Sequence, residues 1–199
     1  MGIANDHSLW QSFKKGDRDS FQTLYFNYFD KLYEYGMRIV SDKELVKDAI
    51  QDLFLKLWNN KSKLSDISAI RPYLLVSLRT TLYDKFQQNR RMPLTEISED
   101  YPFEMVFSAE SDFIIRETKS AQTQKLIDAL NQLTPRQKEV IYLRYFEELD
   151  YDEIAAIMDI TVKATYKLAS RGLEALRQVM DISNSSLLIL LTFLKAHTL

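Results

Sequence analysis

The stretch from Asp150 to Arg177 restricts the fold of this chain more than any other part. Asp150 and Glu153 have the spacing of a capping box, in which two side chains pair with backbone N–H groups at the start of a helix. That helix has an apolar face formed by Ile154, Ala155, Ile157 and Met158. Asp159–Ile160 follows as a turn, and the Thr161 hydroxyl is placed to cap a second helix. The stretch therefore predicts two helices joined by a short turn.

The second of these helices has two distinct faces. The inward set has the 3, 4, 3, 4 spacing of one buried stripe: Val162, Thr165, Ala169, Gly172 and Leu176. The outward set combines cations with short and polar side chains: Lys163, Ala164, Tyr166, Lys167, Ser170 and Arg171. Such a face suits phosphate oxygens and base edges, so the pair resembles a helix-turn-helix whose second helix enters the major groove. A packed helical hairpin without a nucleic-acid role is the alternative, and Asp159 replaces the usual turn glycine.

Composition restricts the rest of the chain. Only four Gly and four Pro occur in 199 residues, and this scarcity indicates an all-α protein. The absence of Cys excludes a disulfide framework and thiolate metal sites. The two histidines, His7 and His197, lie near opposite ends, so neither a metal site nor a His-based catalytic pair is predicted, and no cofactor is implied. Asn5 and Asp6 do not fit the basic and then apolar pattern of a signal peptide, and we expect a cytoplasmic protein.

Charge is distributed unevenly, although the net charge is only −2. Residues 1–91 contain 15 Lys and Arg against 11 Asp and Glu, residues 92–120 contain 2 against 7, and residues 121–199 contain 9 against 10. Because counterion release supplies most non-specific DNA affinity, a chain with so little excess positive charge should bind free DNA weakly. Either DNA is not the partner, or another macromolecule presents the protein to DNA.

The N-terminal part predicts a short helix and then a long one capped by Asp17 or Asp19, followed by helices from about 42 to 59 and from about 71 to 90. On the third helix, Asp48 and Asp52 lie four residues apart on one face, but no third metal ligand is in view. With Gln51 they form a polar face suited to a basic helix of a partner. The fourth helix interleaves basic and aromatic residues, which suits single-stranded nucleic acid or, equally, a solvated face with aromatics turned inward.

Residues 92–120 and 182–199 have contrasting character. The first segment has two prolines, seven acids and poor periodicity, which predict an extended, mobile linker. In the second, Leu187 to Leu194 is almost continuously apolar but too short to cross a bilayer, which takes about 20 apolar residues. No membrane span is predicted. We expect this tail to pack on its own domain, with contact to a partner protein, or a position over the outward helix face, as alternatives.

The order of the motifs resembles that of extracytoplasmic-function (ECF) sigma factors of bacterial RNA polymerase. The successive segments are DAIQDLFLKLW, then RPYLLVSLRTTLYDKFQQNRR, then an acidic linker, then LTPRQKEVIYLRYFEELDYDEIAAIM and the helix-turn-helix. The resemblance covers about residues 8–91 and 121–178. It implies two small helical domains, region 2 at 1–91 and region 4 at 121–181, joined by the acidic flexible linker 92–120 and followed by the apolar tail 182–199.

The resemblance also implies four sets of binding residues. The set that binds polymerase is Asp48, Gln51 and Asp52. The loop that captures a flipped base of the promoter −10 element is Ser65, Asp66, Ile67, Ser68, Ala69 and Ile70. The residues that contact or melt −10 DNA are Arg71, Arg79, Tyr83, Lys85, Arg90 and Arg91. The set that contacts the −35 element is Thr161, Lys163, Ala164, Tyr166, Lys167, Ser170 and Arg171. From the residues alone, Arg136 and Lys138 are placed to hold DNA phosphate or to face solvent.

The function implied is that of a sigma factor, which binds core RNA polymerase and directs initiation by contacting −35 and −10 elements. No catalytic activity, metal or cofactor is implied, and an anti-sigma factor is an expected partner besides polymerase and promoter DNA. A free-standing helix-turn-helix regulator is the alternative function. A metal-dependent enzyme using Asp48 and Asp52 is the third hypothesis.

Overall fold

The computed structural model describes residues 3–67, 69–90, 102–105 and 121–198, and within these ranges every regular element is a helix. The all-α prediction is therefore confirmed. The chain divides into two compact units, Met1–Ile97 and Ser98–Leu199.

The described residues of the N-terminal unit form four α-helices and one 3₁₀ turn. Asp17 caps the second helix by accepting a hydrogen bond from the Ser20 N–H at 2.9 Å, and Asp42 caps the third through the N–H groups of Glu44 and Leu45. These caps explain why the helices begin where the sequence predicts. Their bounds are α1 Ile3–Lys14, α2 Arg18–Ile39, α3 Lys43–Asn60, the 3₁₀ turn Lys61–Lys63 and α4 Ile70–Arg90.

Close packing of α2 against α3 depends on a glycine. A Cβ atom at Gly36 would lie 2.7 Å from Cγ1 of Val46, so no larger residue fits without a shift. Around this contact, α2, α3 and α4 bury one apolar stripe each, and α1 closes the unit with the fully buried Trp10 and Phe13. The aromatic-rich N-terminal sequence thus forms a core.

In the C-terminal unit, the described residues form five α-helices and a π-helical segment. Thr134 and Gln137 form a complete capping box, with the Gln137 amide oxygen accepting from the Thr134 N–H at 3.0 Å and the Thr134 hydroxyl oxygen accepting from the Gln137 N–H at 3.4 Å. The helix that begins there continues past Ile141 as a π-helix, a change that its helical spacing did not predict. The bounds are α5 Ala121–Asn131, α6 Pro135–Ile141, the π-segment Tyr142–Phe146, α7 Tyr151–Met158, α8 Val162–Met180 and α9 Asn184–Thr198.

Part of the acidic linker packs on the C-terminal unit. Phe103 is fully buried, with its ring centroid 5.8 Å from that of Tyr142, and Met105 is 4% exposed. Between them, Glu104 accepts from the ammonium group of Lys138 at 3.1 Å. This short segment therefore differs from the expected mobile tether, because two apolar side chains hold it to the domain. The rest of the linker lies outside the described residues.

The apolar tail forms α9 and packs on its own unit, as predicted. Leu187, Leu191 and Leu194 are buried against α8 and the π-segment, while Ile189 is 69% exposed on the opposite face. Within the described ranges, no single helix is long and apolar enough to cross a membrane, and α8 and α9 meet that test only as a pair bent by 96°.

Candidate nucleic-acid interfaces

The turn of the helix-turn-helix forms at the residues that the sequence indicates. Asp159 has the left-handed conformation, with φ 52° and ψ 51°, and its N–H donates to the Ala155 carbonyl at the end of α7. The Thr161 hydroxyl accepts from the Ala164 N–H at 3.2 Å and so caps α8. An aspartate therefore occupies the position that glycine usually takes, at a moderate conformational cost.

The buried stripe of α8 is confirmed except at its first residue. Thr165, Ala169, Gly172 and Leu176 are buried, and the stripe continues to Met180. A Cβ atom at Gly172 would lie 3.3 Å from Cγ1 of Ile141, which explains the small residue where α6 crosses α8. Val162 is 37% exposed, so its prediction as a core residue was wrong. It stands in the first turn of α8.

The predicted DNA-binding face of α8 is open to solvent. Every one of its residues is exposed: Thr161, Lys163, Ala164, Tyr166, Lys167, Ser170 and Arg171. Ser170 on this face shares a groove of about 190 Å³ with residues of the tail helix α9. The alternative that the tail covers the recognition face is therefore wrong.

Two residues that sequence analysis missed support the predicted DNA-binding face of α8. Tyr151 at the start of α7 places its ring centroid 4.0 Å from that of Tyr166. Arg144 lies over the Tyr151 ring at 4.9 Å and donates to the Leu149 carbonyl at 2.7 Å and to Asp150 at 3.1 Å. The stack limits the motion of Tyr166, which is 55% exposed. No local pattern pairs Tyr151 with Tyr166, because they lie on different helices.

The cations at the start of α6 differ from each other. Arg136 is partly exposed, and its contact with a DNA phosphate stays a prediction. Lys138 is only 6% exposed and pairs with Glu104, so neither phosphate binding nor full solvation describes it. The burial follows from the linker segment that packs over this helix.

In the N-terminal unit, the loop before α4 is held by side chains of α1. The Trp10 indole N–H donates to the Ser65 carbonyl at 3.1 Å. Oδ1 of Asp66 accepts from the Gln11 amide at 2.8 Å and from the Lys14 ammonium group at 2.5 Å. These hydrogen bonds, that of Lys14 first, lower the pKa of the Asp66 carboxyl below its usual value.

The loop residues differ in access. Ser65 and Asp66 are exposed, Ile67 and Ala69 are half-buried, and Ile70 is 2% exposed. Ile70 therefore cannot contact a base in this conformation, which corrects its predicted role. Ser68 lies outside the described residues.

A groove of about 410 Å³ lies beside this loop, between α3 and α4. Its walls combine an aromatic ring with hydroxyl and amide groups: Leu64, Tyr73, Ser77, Thr80, Thr81 and Asn60 are among the lining residues. The aromatic side chain offers a stacking face, and the hydroxyl groups of Ser77, Thr80 and Thr81 donate to backbone carbonyls of α4 and can still accept hydrogen bonds.

The basic residues of α4 have unequal access. Arg79 is 8% exposed, with its guanidinium carbon 4.7 Å from the Tyr83 ring centroid, so it was wrongly predicted to point outward. Its stacking on Tyr83 orients that ring instead. Arg71, Tyr83 and Lys85 are half-buried. The side chain of Arg90 and the whole of Arg91 lie outside the described residues.

The acidic face of α3 meets the basic helix through one ion pair. Asp48 and Gln51 are exposed, whereas Oδ2 of Asp52 lies 2.6 Å from Nζ of Lys85. Gln51 also lines an aromatic groove of about 390 Å³ between α2 and α3, together with Phe21, Tyr25, Phe29, Lys47, Phe54 and Leu55. Within the described ranges, no three His, Asp or Glu side chains are placed to hold a metal ion.

Comparisons with known proteins identify the family to which this chain is similar. The family description Sigma-70 region 2 matches residues 24–92, and Sigma-70, region 4 matches residues 123–176. The RNA polymerase sigma factor YlaC of Bacillus subtilis is 30% identical over 142 residues, which cover 71% of this chain and 80% of that protein. The ECF RNA polymerase sigma-E factor of Escherichia coli K12 is 28% identical over 180 residues, which cover 86% and 92%.

Among solved structures, the fold is shared with CnrH, determined in complex with the cytosolic domain of CnrY. The TM-score is 0.58 at 18% sequence identity, and the match covers 88% of this chain and 97% of that one. The sequence relatives and the two matched regions establish the family. The chain therefore belongs to the sigma-70 family of RNA polymerase sigma factors, and within it to the extracytoplasmic-function group.

Proposed function

We propose that this protein binds core RNA polymerase through the N-terminal unit and directs it to promoters by contacting a −35 and a −10 element. The observation that carries this proposal is the open, cation-bearing face of α8 within the part of the chain that matches region 4. The proposed role is regulatory: the protein selects the start site and carries out no chemistry itself. It acts in the cytoplasm, together with polymerase.

The proposed −35 contact rests on the two kinds of side chain that face outward on α8. Lys163, Lys167 and Arg171 supply positive charge for phosphate, and the short side chains of Ala164 and Ser170 allow the helix to approach base edges. Tyr166 adds a ring whose position is restrained by its neighbour on α7. Such a helix fits the major groove as the second helix of a helix-turn-helix.

The proposed −10 contact uses the exposed loop residues Ser65 and Asp66 and the adjoining groove. An unstacked base that enters the groove can stack on Tyr73 and hydrogen-bond to the hydroxyl groups that line it. Lys85 and Arg71 lie on α4, which lines this groove, and they offer positive charge to the DNA strand on either side of the captured base. This trap stabilises the melted strand, because a captured base cannot re-form its pair.

The proposed polymerase contact is the acidic face of α3 together with the aromatic groove beside it. Exposed Asp48 and Gln51 offer polar contacts, and Leu55 is 52% exposed at the groove edge. A partner helix with basic residues on one side and apolar residues on the other would satisfy both surfaces.

One ion pair connects these two binding surfaces. Asp52 belongs to the proposed polymerase contact and Lys85 to the proposed −10 contact, and they pair at 2.6 Å. Because ion pairs of partly exposed groups contribute only about 0–1 kcal/mol, either partner can open it at little cost. Polymerase binding to Asp52 would therefore leave Lys85 available to DNA.

The low net charge supports dependence on polymerase. Neither unit carries the excess of cations that gives tight non-specific DNA binding. Held on one polymerase, two weak contacts act together through effective concentration. We also propose an anti-sigma factor as the regulator, since the solved structures of CnrH and of RpoE from Bartonella quintana contain such partners or a partner's cytosolic domain.

The direct test is run-off transcription from genomic fragments with core polymerase, with and without this protein. Start sites that occur only with the protein are expected, preceded by shared sequences at −35 and −10. Lys167→Ala should lower transcription from promoters that need the −35 element without lowering polymerase affinity. Arg177→Ala is the matched control, since this cation near the end of α8 pairs with Glu174 and lies outside the proposed face.

Two results of these experiments would contradict the proposal, one in its function and one in its −35 contact. Absence of new start sites, together with tight binding of the protein alone to specific duplex DNA, would favour a free-standing helix-turn-helix regulator. Lys167→Ala that leaves the −35 dependence intact would refute the assigned contact while leaving the sigma function in place.

A further inference from the structure

The first helix makes three hydrogen bonds to the loop before α4, and no feature of the proposed function above uses them. They run from Trp10 to the Ser65 carbonyl and from Gln11 and Lys14 to one oxygen of Asp66. All three donors come from one face of α1, and both acceptors are adjacent in the loop. The loop is therefore attached at two consecutive residues to a helix more than fifty residues away in the chain.

We infer that Trp10, Gln11 and Lys14 are positioning residues that hold the base-capturing loop in the conformation that distinguishes one −10 base from another. This inference rests on the proposed function of the loop and adds to it the part of the chain that sets its selectivity. The three residues need not touch DNA. They act through Ser65 and Asp66.

The Trp10 contact is rigid because its donor is buried. Its side chain is fully buried, and its ring packs against Phe13 at 5.3 Å and edge-on against Tyr73 at 5.5 Å. A buried indole N–H needs an acceptor, and the Ser65 carbonyl supplies it. Since Tyr73 also lines the groove beside the loop, Trp10 fixes the loop and one groove wall relative to each other.

The Asp66 contact restrains a side chain that would otherwise be free. Asp66 has 64% of its side chain exposed, whereas the Lys14 side chain is only 19% exposed. Lys14 and Gln11 donate to the same oxygen and so fix the direction of the carboxylate. An exposed charged pair of this kind biases a conformational equilibrium by up to about fivefold. That factor is enough to alter base discrimination without affecting the fold.

The competing explanation is that Lys14 contacts a DNA phosphate directly. The two roles give different signatures on mutation. Loss of a phosphate contact lowers affinity for every base alike and reduces the salt dependence, whereas loss of a positioning residue changes the ratio between bases. The chain offers a matched control in Lys15, which carries the same charge at the next position and is exposed.

The experiment measures binding of the holoenzyme to single-stranded −10 DNA with each of the four bases at the captured position. Four versions of the full chain are compared: wild type, Lys14→Met, Lys15→Met and Asp66→Asn. Lys14→Met should reduce the ratio between the best and the worst base by about two- to fivefold, with the slope of log affinity against log salt unchanged. Asp66→Asn should give the same reduction, and Lys15→Met should give none.

Two further variants exclude a merely structural effect. The double variant Lys14→Met with Asp66→Asn should lose no more discrimination than either single variant, because both remove one contact. Trp10→Phe keeps an aromatic ring and removes the N–H donor, so it should also reduce the ratio while the circular dichroism spectrum stays native.

Each other outcome overturns the inference. Equal loss for all four bases, with the salt slope reduced by about 0.7, identifies a single-strand phosphate contact instead. Additive losses in the double variant, or an unchanged ratio in Lys14→Met, refute the positioning role but leave base capture by the loop in place. A wild-type ratio near one refutes base capture by the loop itself, which separates failure of the proposed function from failure of this inference.

Discussion

Truncation of Phe103 should detach the linker segment from the C-terminal unit at a small cost in stability. In most cores, Phe→Ala at a fully buried position costs about 3–5 kcal/mol, because a cavity remains. Phe103 is fully buried, but it belongs to a short segment that can leave the domain as a whole. The loss on truncation therefore cannot exceed the free energy with which this segment is docked.

The docking free energy follows from two opposing contributions. Burial of Phe103 and Met105 stabilises the docked state by about 1.5–3 kcal/mol for each side chain. Ordering the backbone of the four residues 102–105 opposes this by about 1–2 kcal/mol per residue. The two contributions nearly cancel, and the Glu104–Lys138 ion pair adds little to the docking free energy because Glu104 is exposed. We therefore expect Phe103→Ala to cost less than about 2 kcal/mol, whereas Leu176→Ala in the same unit should cost about 2–5 kcal/mol.

The chain permits a domain-specific assay. Its two tryptophans, Trp10 and Trp58, both lie in the N-terminal unit, so tryptophan fluorescence follows the urea unfolding of that unit. Far-UV circular dichroism follows the helices of both. Phe103→Ala should shift only the unfolding transition of the C-terminal unit, which circular dichroism detects and tryptophan fluorescence does not. A loss as large as that of Leu176→Ala, or a shift in the fluorescence transition, would refute the view that the segment docks reversibly.

Three further predictions concern charge and the tail. Because Lys14 lowers the pKa of Asp66, stabilisation by this pair should be complete above about pH 4 and lost as pH falls through the lowered pKa; Lys14→Met should raise the midpoint of the Asp66 carboxyl signal in an NMR titration. Asp52→Asn should free Lys85 and so steepen the slope of log affinity against log salt for single-stranded DNA by about 0.7 more than the control Asp84→Asn does. Asp52→Asn should also weaken polymerase binding. Equal slopes for the two variants would exclude the release of Lys85. Removal of α9 should destabilise the C-terminal unit in urea without raising DNA affinity, since α9 leaves the recognition face exposed.

Features that depend on neighbouring residues were predicted correctly. Asp17, Thr134 and Thr161 were expected as helix caps, and each accepts the expected backbone hydrogen bond. A cap is formed within three residues, so the sequence contains both partners. The left-handed turn at Asp159 is of the same kind, because the spacing of two helical patterns leaves only that position for it.

Predictions failed where burial depends on a distant segment. The helical period gives the angle of a residue around its helix but not how far the neighbouring helix extends. Val162 has the angle of a core residue and is exposed, while Arg79 was assigned to the outer face and is buried against Tyr83. Lys138 is buried because Glu104 and its neighbours pack over it. The contact between Lys138 and Glu104 has no sequence spacing from which it could have been inferred, whereas Arg79 and Tyr83 lie four residues apart on α4, a spacing that allows their contact but does not give its burial.

Ion pairs between residues that are distant in the sequence also affect the affinity of the protein for DNA. Lys85 pairs with Asp52 and Lys138 with Glu104, so cations that could attract DNA are neutralised within their own units. Such pairing, added to a net charge of −2, lowers the affinity for free DNA, which rises with each available cation. If Asp52 binds polymerase as proposed, a sigma factor with these pairs gains little from DNA alone and more once polymerase is bound. If the Asp52→Asn and Asp84→Asn slopes prove equal, the low affinity must come from net charge alone.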